Sequence, residues 1–316
     1  MEETGVSKDR KTRMTVWVAL AANLVIAVAK AVGGLFSGSP ALLSEAAHSV
    51  ADSMNEIFLL AALKRSKRPA DAGHPFGYGK ERYFWSLLAA VGIFVTGGCF
   101  SVFQGVEALR SGGQESTTGY LIGLVVLGVA FFAEGGSLCR ALYQVHQQPG
   151  KGLGSDPALR TVVAEDGTAV LGVLLAAGGM VLHMVTQQIA WEAGASIGIG
   201  VLLVCVAYRL GKDARDQLIG EAGDPDLRDG VAAYLAEQPE IDNVATLLTM
   251  RLGMESTLVA ARIDLAPGRD SEEVEMVMER IKGALGEKWP EADQIFLDVA
   301  EAPISPGEDA ASPSLT

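Results

Sequence analysis

Six long apolar stretches limit what this chain can fold into more than any other feature of its sequence. They run over Met14–Phe36, Pro40–Leu63, Tyr83–Val106, Thr118–Leu142, Ala158–Val185 and Ile189–Leu210. Each is near or above the ~20 residues a helix needs to cross a bilayer core. In hydrocarbon every backbone N–H and C=O must find its partner within the segment, so these stretches are expected to be helices. The first is too long for a secretory signal, lacks a clear small-residue cleavage site and precedes five more, so it reads as a span. Lys and Arg collect in the N-terminal arm (Lys8, Arg10, Lys11, Arg13), the second connection (Lys64, Arg65, Lys67, Arg68, Lys80, Arg82), near the fourth (Lys151, Arg160) and after the last span (Lys212, Arg215). The remaining connections are nearly bare. By the positive-inside bias both termini are expected in the cytoplasm, beneath a plasma or inner membrane.

Charge divides the chain again. It carries 38 acids and 25 bases over 316 residues, a net charge of −13. Residues 213–316 hold 23 of the acids and 8 of the bases, leaving 15 and 17 for the first 212. The expected organisation is a cytoplasmic arm (1–13), a six-helix membrane domain (14–212), an acidic cytoplasmic domain (213–302) and a disordered tail (303–316). An acidic chain with no basic stripe excludes nucleic acid as a partner. Cys99, Cys139 and Cys205 lie inside apolar segments without C-x-x-C spacing, which predicts small buried side chains rather than a disulfide framework or zinc ribbon.

The acidic part reads as α-β-β-α-β. Asp224-Pro225 is a capping residue before a proline at the first helical position; two strands follow around Gly253, then a helix with Val274, Val277, Ile281 and Leu285 in register, then "DQIFLDVAE". The fold class is therefore an α-helical membrane protein of six transmembrane helices with a C-terminal α+β, ferredoxin-like domain. That domain contains no His or Cys, and the chain has no phosphate loop. Any transport is expected to run on a gradient, with no cofactor.

Ionisable groups at membrane depth are costly and mark function or pairing. The second span contains "LLSEAAHSVADSMNE", in which His48 and Asp52 stand four residues apart on one helix face. The fifth carries the adjacent acids Glu165 and Asp166. At ~1.5 Å per residue, His48 and Asp52 lie roughly 14 and 20 Å below the outer end of their span, with Asp166 at roughly 18 Å, so the three can meet near the midplane. Glu165 points about 100° away from Asp166 around the helix. Lys30 and Glu45 lie at equal depth on either side of the first outer turn and are expected to pair. Glu134, in the middle of the fourth span, reads either as a proton site or as a helix–helix hydrogen-bonding group. "GASIGIG" is expected to allow close helix packing.

In this order "SGSPALLSEAAHSVADSMNE", "HPFGYGKERYFW" and "LIGEAGDP" resemble the cation diffusion facilitator family, and with "EDGTAVLG" look closest to the branch containing human SLC30 member 9. The resemblance implies metal efflux in exchange for protons through a homodimer with cytoplasmic C-terminal domains. Matched residue by residue, it makes His48, Asp52 and Asp166 metal ligands. The family's other fifth-span ligand falls on Val162, so Glu165 or water completes the set. Metal loading needs neutral His48 and ionised carboxylates, which couples loading to proton release. One imidazole and two carboxylates suit Zn²⁺ and also accept Mn²⁺, Fe²⁺ or Co²⁺. A metal-gated sensor or scaffold is the reading from another class; an intramembrane hydrolase is disfavoured because no H-E-x-x-H occurs. A Lys80–Glu221 salt link is expected to steady the junction before the cytoplasmic domain.

Overall fold

The computed structural model describes residues 2–112, 117–146 and 157–300, without the side chains of 2–16, 18–19, 117–118 and 157–162. The arm's charges, the "HQQPGKGLGSDP" connection, the side chain of Val162 and the tail from residue 303 fall outside that description. The chain divides into two compact units. The first comprises the chain to Leu63 with Phe84–Ala214, and the second comprises Lys64–Tyr83 with the chain from Arg215 onward.

The first unit is helical: α1 (Glu2–Ser37), α2 (Pro40–Arg65), α3 (Glu81–Gly92), a π-helical stretch (Ile93–Cys99), α4 (Phe100–Ser111), α5 (Thr117–His146), α6 (Pro157–Thr186) and α7 (Ala190–Ile219). Five of these segments are long and apolar enough to cross a membrane: Leu20–Ser37, Glu81–Ser111, Gly119–His146, Val163–Thr186 and Ala190–Ile219. The expectation of six spans differs at α2. This helix has the length, but Glu45, His48, Asp52, Asn55 and Glu56 lower its hydropathy below that of its neighbours. Its buried face is polar in the middle, and Ala41, Leu42 and Ala51 join it to a core that includes Leu127, Val173, Met180, Ile199 and Leu203.

Small residues set how closely these helices approach. A Cβ on Gly200 of α7 would lie 2.9 Å from the Val102 nitrogen and 3.0 Å from the Gly98 carbonyl oxygen, so the two backbones touch. Of the glycines in "GASIGIG", Gly200 makes this contact, while Gly194 faces open space. The cysteines differ from expectation: Cys99, Cys139 and Cys205 are free and exposed. The apolar outer face of a spanning helix is lined by the same residue types as its core, so apolar surroundings in sequence did not distinguish the two.

The second unit has the expected order α-β-β-α-β. Here α8 (Pro225–Ala236) and α9 (Ser271–Lys288) accompany a sheet of β1 (Ile241–Arg251), β2 (Thr257–Leu265) and β3 (Gln294–Val299) in the order β1-β2-β3. β1 and β2 form an antiparallel pair, and β2 and β3 run parallel, joined through α9. Asp224 caps α8 by accepting from the Asp226 N–H at 2.9 Å, and Asp270 caps α9 from Glu272 and Glu273. Leu235, Val259, Ile263, Ile281 and Leu285 form its core.

The connection Lys64–Tyr83 belongs to this second unit, and its motif "HPFGYGK" has a local physical basis. Gly77 adopts φ +77°, which a side chain would oppose. Gly79 lies so close to the β1–β2 turn that a Cβ would strike the Leu252 carbonyl oxygen and come within 3.1 Å of the Gly253 Cα. Phe76 meets Phe296 of β3 edge to face at 6.4 Å. The ammonium of Lys80 is consequently carried to Met250 Sδ, at 3.7 Å. A Lys80–Glu221 ion pair does not occur among the described residues, so that expectation is corrected.

Candidate functional site

The polar residues of α2 build outward from its buried face. Ser39 at the turn before it and Tyr120 of α5 both donate to the wholly buried carboxylate of Glu192, in the first turn of α7. His183 of α6 stacks on Tyr120 at 5.7 Å. Glu192 carried no signal in the sequence beyond its place at a helix start, where a carboxylate ordinarily meets the macrodipole and water.

Further along α2, Glu45 is fully buried and receives the Lys30 ammonium at 2.8 Å, the partnership expected from their equal depth. Glu134 of α5 takes the same ammonium, also at 2.8 Å. One turn on stands His48, 4% exposed, with neither ring nitrogen in a hydrogen bond. Its Nε2 is 3.6 Å from Asp52 Oδ2, and the Asp52 side chain is 38% exposed. The pair thus combines a buried, unengaged imidazole with a partly exposed carboxylate.

α6 supplies the facing acids, each held by a different helix. Asp166 Oδ2 accepts from Ser137 Oγ of α5 at 2.7 Å, and Glu165 Oε1 accepts from Asn55 Nδ2 of α2 at 3.3 Å. The division follows from the ~100° between neighbours on a helix. Asp52 and Asp166 lie within electrostatic range of each other, and Glu165 within range of Asp52, Asp166 and Glu56. Glu56, bonded at 2.8 Å by Asn23 of α1, was not anticipated as part of this group. The structure therefore brings His48 and Asp52 together and sets Asp166 and Glu165 near them. Among the described residues no three His, Cys, Asp or Glu side chains close to the distances one ion requires. Ser137 of α5 ties Asp166 to a third helix, while Asn55, one turn from Asp52 on α2, ties Glu165 to the helix that carries the pair.

A set of one imidazole and several carboxylates offers borderline and hard donors suited to a first-row divalent cation. Comparison with known proteins points the same way. The cation efflux transmembrane domain matches residues 16–219. Metal tolerance protein C4 of Arabidopsis thaliana is 33% identical over 265 residues, covering 81% of this chain and 58% of that protein. The human proton-coupled zinc antiporter SLC30A9, mitochondrial, is 28% identical over 258 residues, 79% of this chain and 45% of that protein. The chain thus spans about half the length of these curated relatives. Magnetosome protein MamB of Paramagnetospirillum magneticum is 25% identical over 293 residues, with 92% and 94% covered. With these matches, the apolar helices are those of an integral, multi-pass membrane protein. From α1 through α7 the chain belongs to the cation efflux, or cation diffusion facilitator, family, and within it is SLC30A9-like.

Proposed function

We propose that the chain exports a divalent metal ion, Zn²⁺ first, in exchange for protons, using His48, Asp52 and Asp166 as ligands with Glu165 or water beside them. The observation that carries this reading is His48: a buried imidazole with both nitrogens unengaged, 3.6 Å from a partly exposed carboxylate, in a long helix whose central charges set it apart from the five apolar spans. An unpartnered buried polar group is destabilising unless something uses it. α2 is read as the sixth span, its polar residues turned to the site. Both termini face the cytoplasm, and a homodimer with the α-β-β-α-β units as ferredoxin-like cytoplasmic domains is the assembly.

The mechanism follows from protonation. Zinc needs a neutral imidazole and ionised carboxylates, so loading displaces protons and protonation favours release. Loading also requires Asp166 to leave Ser137 and turn toward Asp52, a rearrangement of α6 against α2 and α5 that would accompany alternating access. The zinc antiporter among the relatives supports Zn²⁺ over Mn²⁺, Fe²⁺ or Co²⁺.

The test is metal uptake into proteoliposomes under an imposed pH gradient. Wild type is expected to take up zinc only with the gradient, and Asp52→Ala and Asp166→Ala are each expected to lose flux by about 100-fold or more, the scale on which loss of an essential group acts. Manganese flux without zinc flux would overturn the choice of ion. Binding of either metal without flux would favour a sensor.

A further inference from the structure

The membrane helices contain a second polar cluster that the ion site does not use. Lys30 of α1 is fully buried, and its ammonium donates to Glu45 Oε2 of α2 and to Glu134 Oε1 of α5, each at 2.8 Å. The other two oxygens, Glu45 Oε1 and Glu134 Oε2, are buried with no hydrogen-bond partner. α6 contributes Gly172 here. A Cβ at that position would strike Glu45 Oε1, so the glycine is what lets the carboxyl group lie between the helices.

The charge count does not balance. One ammonium and two ionised carboxylates leave a net charge of −1 in a site where Lys30 and Glu45 are fully buried and Glu134 is 16% exposed. An uncompensated buried charge is strongly destabilising, and orphaned acceptors add to the cost. A single proton resolves both, since it cancels the charge and turns one orphaned oxygen into a donor. A metal ion does not fit the same role, because the ammonium already fills the space between the carboxyl groups. Among the described residues, the other charged or titratable groups facing the cluster are His48 and Asp52, farther along α2. Glu192 of α7 is engaged by Ser39 and Tyr120. None supplies a permanent positive charge.

We propose that Lys30, Glu45 and Glu134 form a proton-binding site distinct from the metal ligands, in which the two glutamates hold one exchangeable proton that is counter-transported against the metal. The proposal rests on the antiport reading above. The proton arrives from water on one side, forms an O–H bond on a carboxyl oxygen, and leaves to water on the other side as that bond breaks. Lys30 remains an ammonium throughout. Glu45 lies three residues before His48 on the same face of α2. A cation arriving at His48 and Asp52 therefore favours the ionised cluster, and protonation of the cluster disfavours the cation, a reciprocal coupling. The cluster adds a second point of exchange to the competition at the ligands themselves.

The experiment uses the full chain in zinc-loaded and empty proteoliposomes, with lumenal pH and zinc recorded together for wild type and Glu134→Gln. In the variant, zinc–zinc counterflow without a gradient is expected to persist, while acceleration of uptake by the pH gradient falls about tenfold and fewer protons move per zinc. Wild type with no pH-driven zinc flux would overturn the antiport reading and the site with it. Wild-type coupling retained by Glu134→Gln at the same proton count would overturn the site alone, as would loss of counterflow together with coupling. Infrared difference spectra of the chain labelled with ¹³C-glutamate and carrying Glu165→Gln test the site with Glu45 and Glu134 intact. That variant is expected to retain a protonated glutamate carbonyl that disappears on zinc addition, and its absence overturns the proposal.

Discussion

His48 and His183 look alike in the sequence, each a single imidazole inside an apolar helix, and the structure separates them: His183 stacks on Tyr120, whereas His48 has no hydrogen bond and faces Asp52. The i, i+4 spacing of His48 and Asp52 made that pair readable, because both positions are fixed by a single helix. Lys30 and Glu45 were readable for a similar reason, a short turn fixing both depths. Glu134 was readable as a proton site or a helix–helix hydrogen-bonding group but without its partner, and Glu192 was not readable. Each joins its partners only through the rotation of α5 or α7 about its own axis, and no local spacing records that rotation. Outside the membrane segments, Asp71 offers a test at this scale. Its carboxylate accepts the Tyr78 hydroxyl at 2.7 Å and the N–H groups of His74 and Gly73 at 2.8 and 2.9 Å. Those bonds, the Tyr78 hydroxyl first, hold its pKa below the usual carboxylate range. Because the folded value is depressed, the stabilisation is fully present above the ordinary pKa of about 3.9 and is lost as pH falls through the folded value. Tyr78→Phe is expected to move the Asp71 titration upward in carboxyl ¹³C NMR; an unmoved titration would contradict the bond.

At the scale of elements, hydropathy located the helices well because each is a continuous run, while their ends and contacts depended on partners. The third span is one run in sequence but three segments in the structure, with a π-helical stretch at Ile93–Cys99. Gly97 and Gly98 in this stretch lie against Leu203 and Val204 of α7. The connection before it packs with the sheet, and only the placement of Gly79 against Leu252 reveals why its glycines stand where they do. Close approach of α4 and α7 at Gly200 gives a quantitative expectation. Gly200→Ala forces a methyl group against the Val102 nitrogen and the Gly98 carbonyl, and overpacking of that kind costs about 1–3 kcal/mol. Gly194→Ala, on the same helix but facing open space, is the control. The first is expected to lower the apparent Tm of the detergent-solubilised chain and the second to leave it unchanged. Equal shifts would contradict the packing at Gly200.

Across the whole molecule charge set the acidic chain from residue 213 apart from the apolar part before it, but it did not reveal that the basic connection Lys64–Tyr83 belongs with the second unit. The α-β-β-α-β order followed from two periodicities and one aspartate cap. The candidate site was legible only in part. Sequence depth placed Asp166 level with His48 and Asp52, yet its hydrogen bond from Ser137, and that of Glu165 from Asn55, depend on the rotation of α5 and α6, which depth does not fix. The central claim is that α2 and α6 together hold the ion by one imidazole and carboxylates. Zinc-edge X-ray absorption on the purified full chain, wild type against His48→Ala, tests this most directly. The account expects a nitrogen and oxygen shell at about 2.0–2.2 Å with a single imidazole signature that His48→Ala removes. A sulfur shell at about 2.3 Å, drawn from Cys99, Cys139 or Cys205, or an imidazole signature that survives His48→Ala, would contradict it.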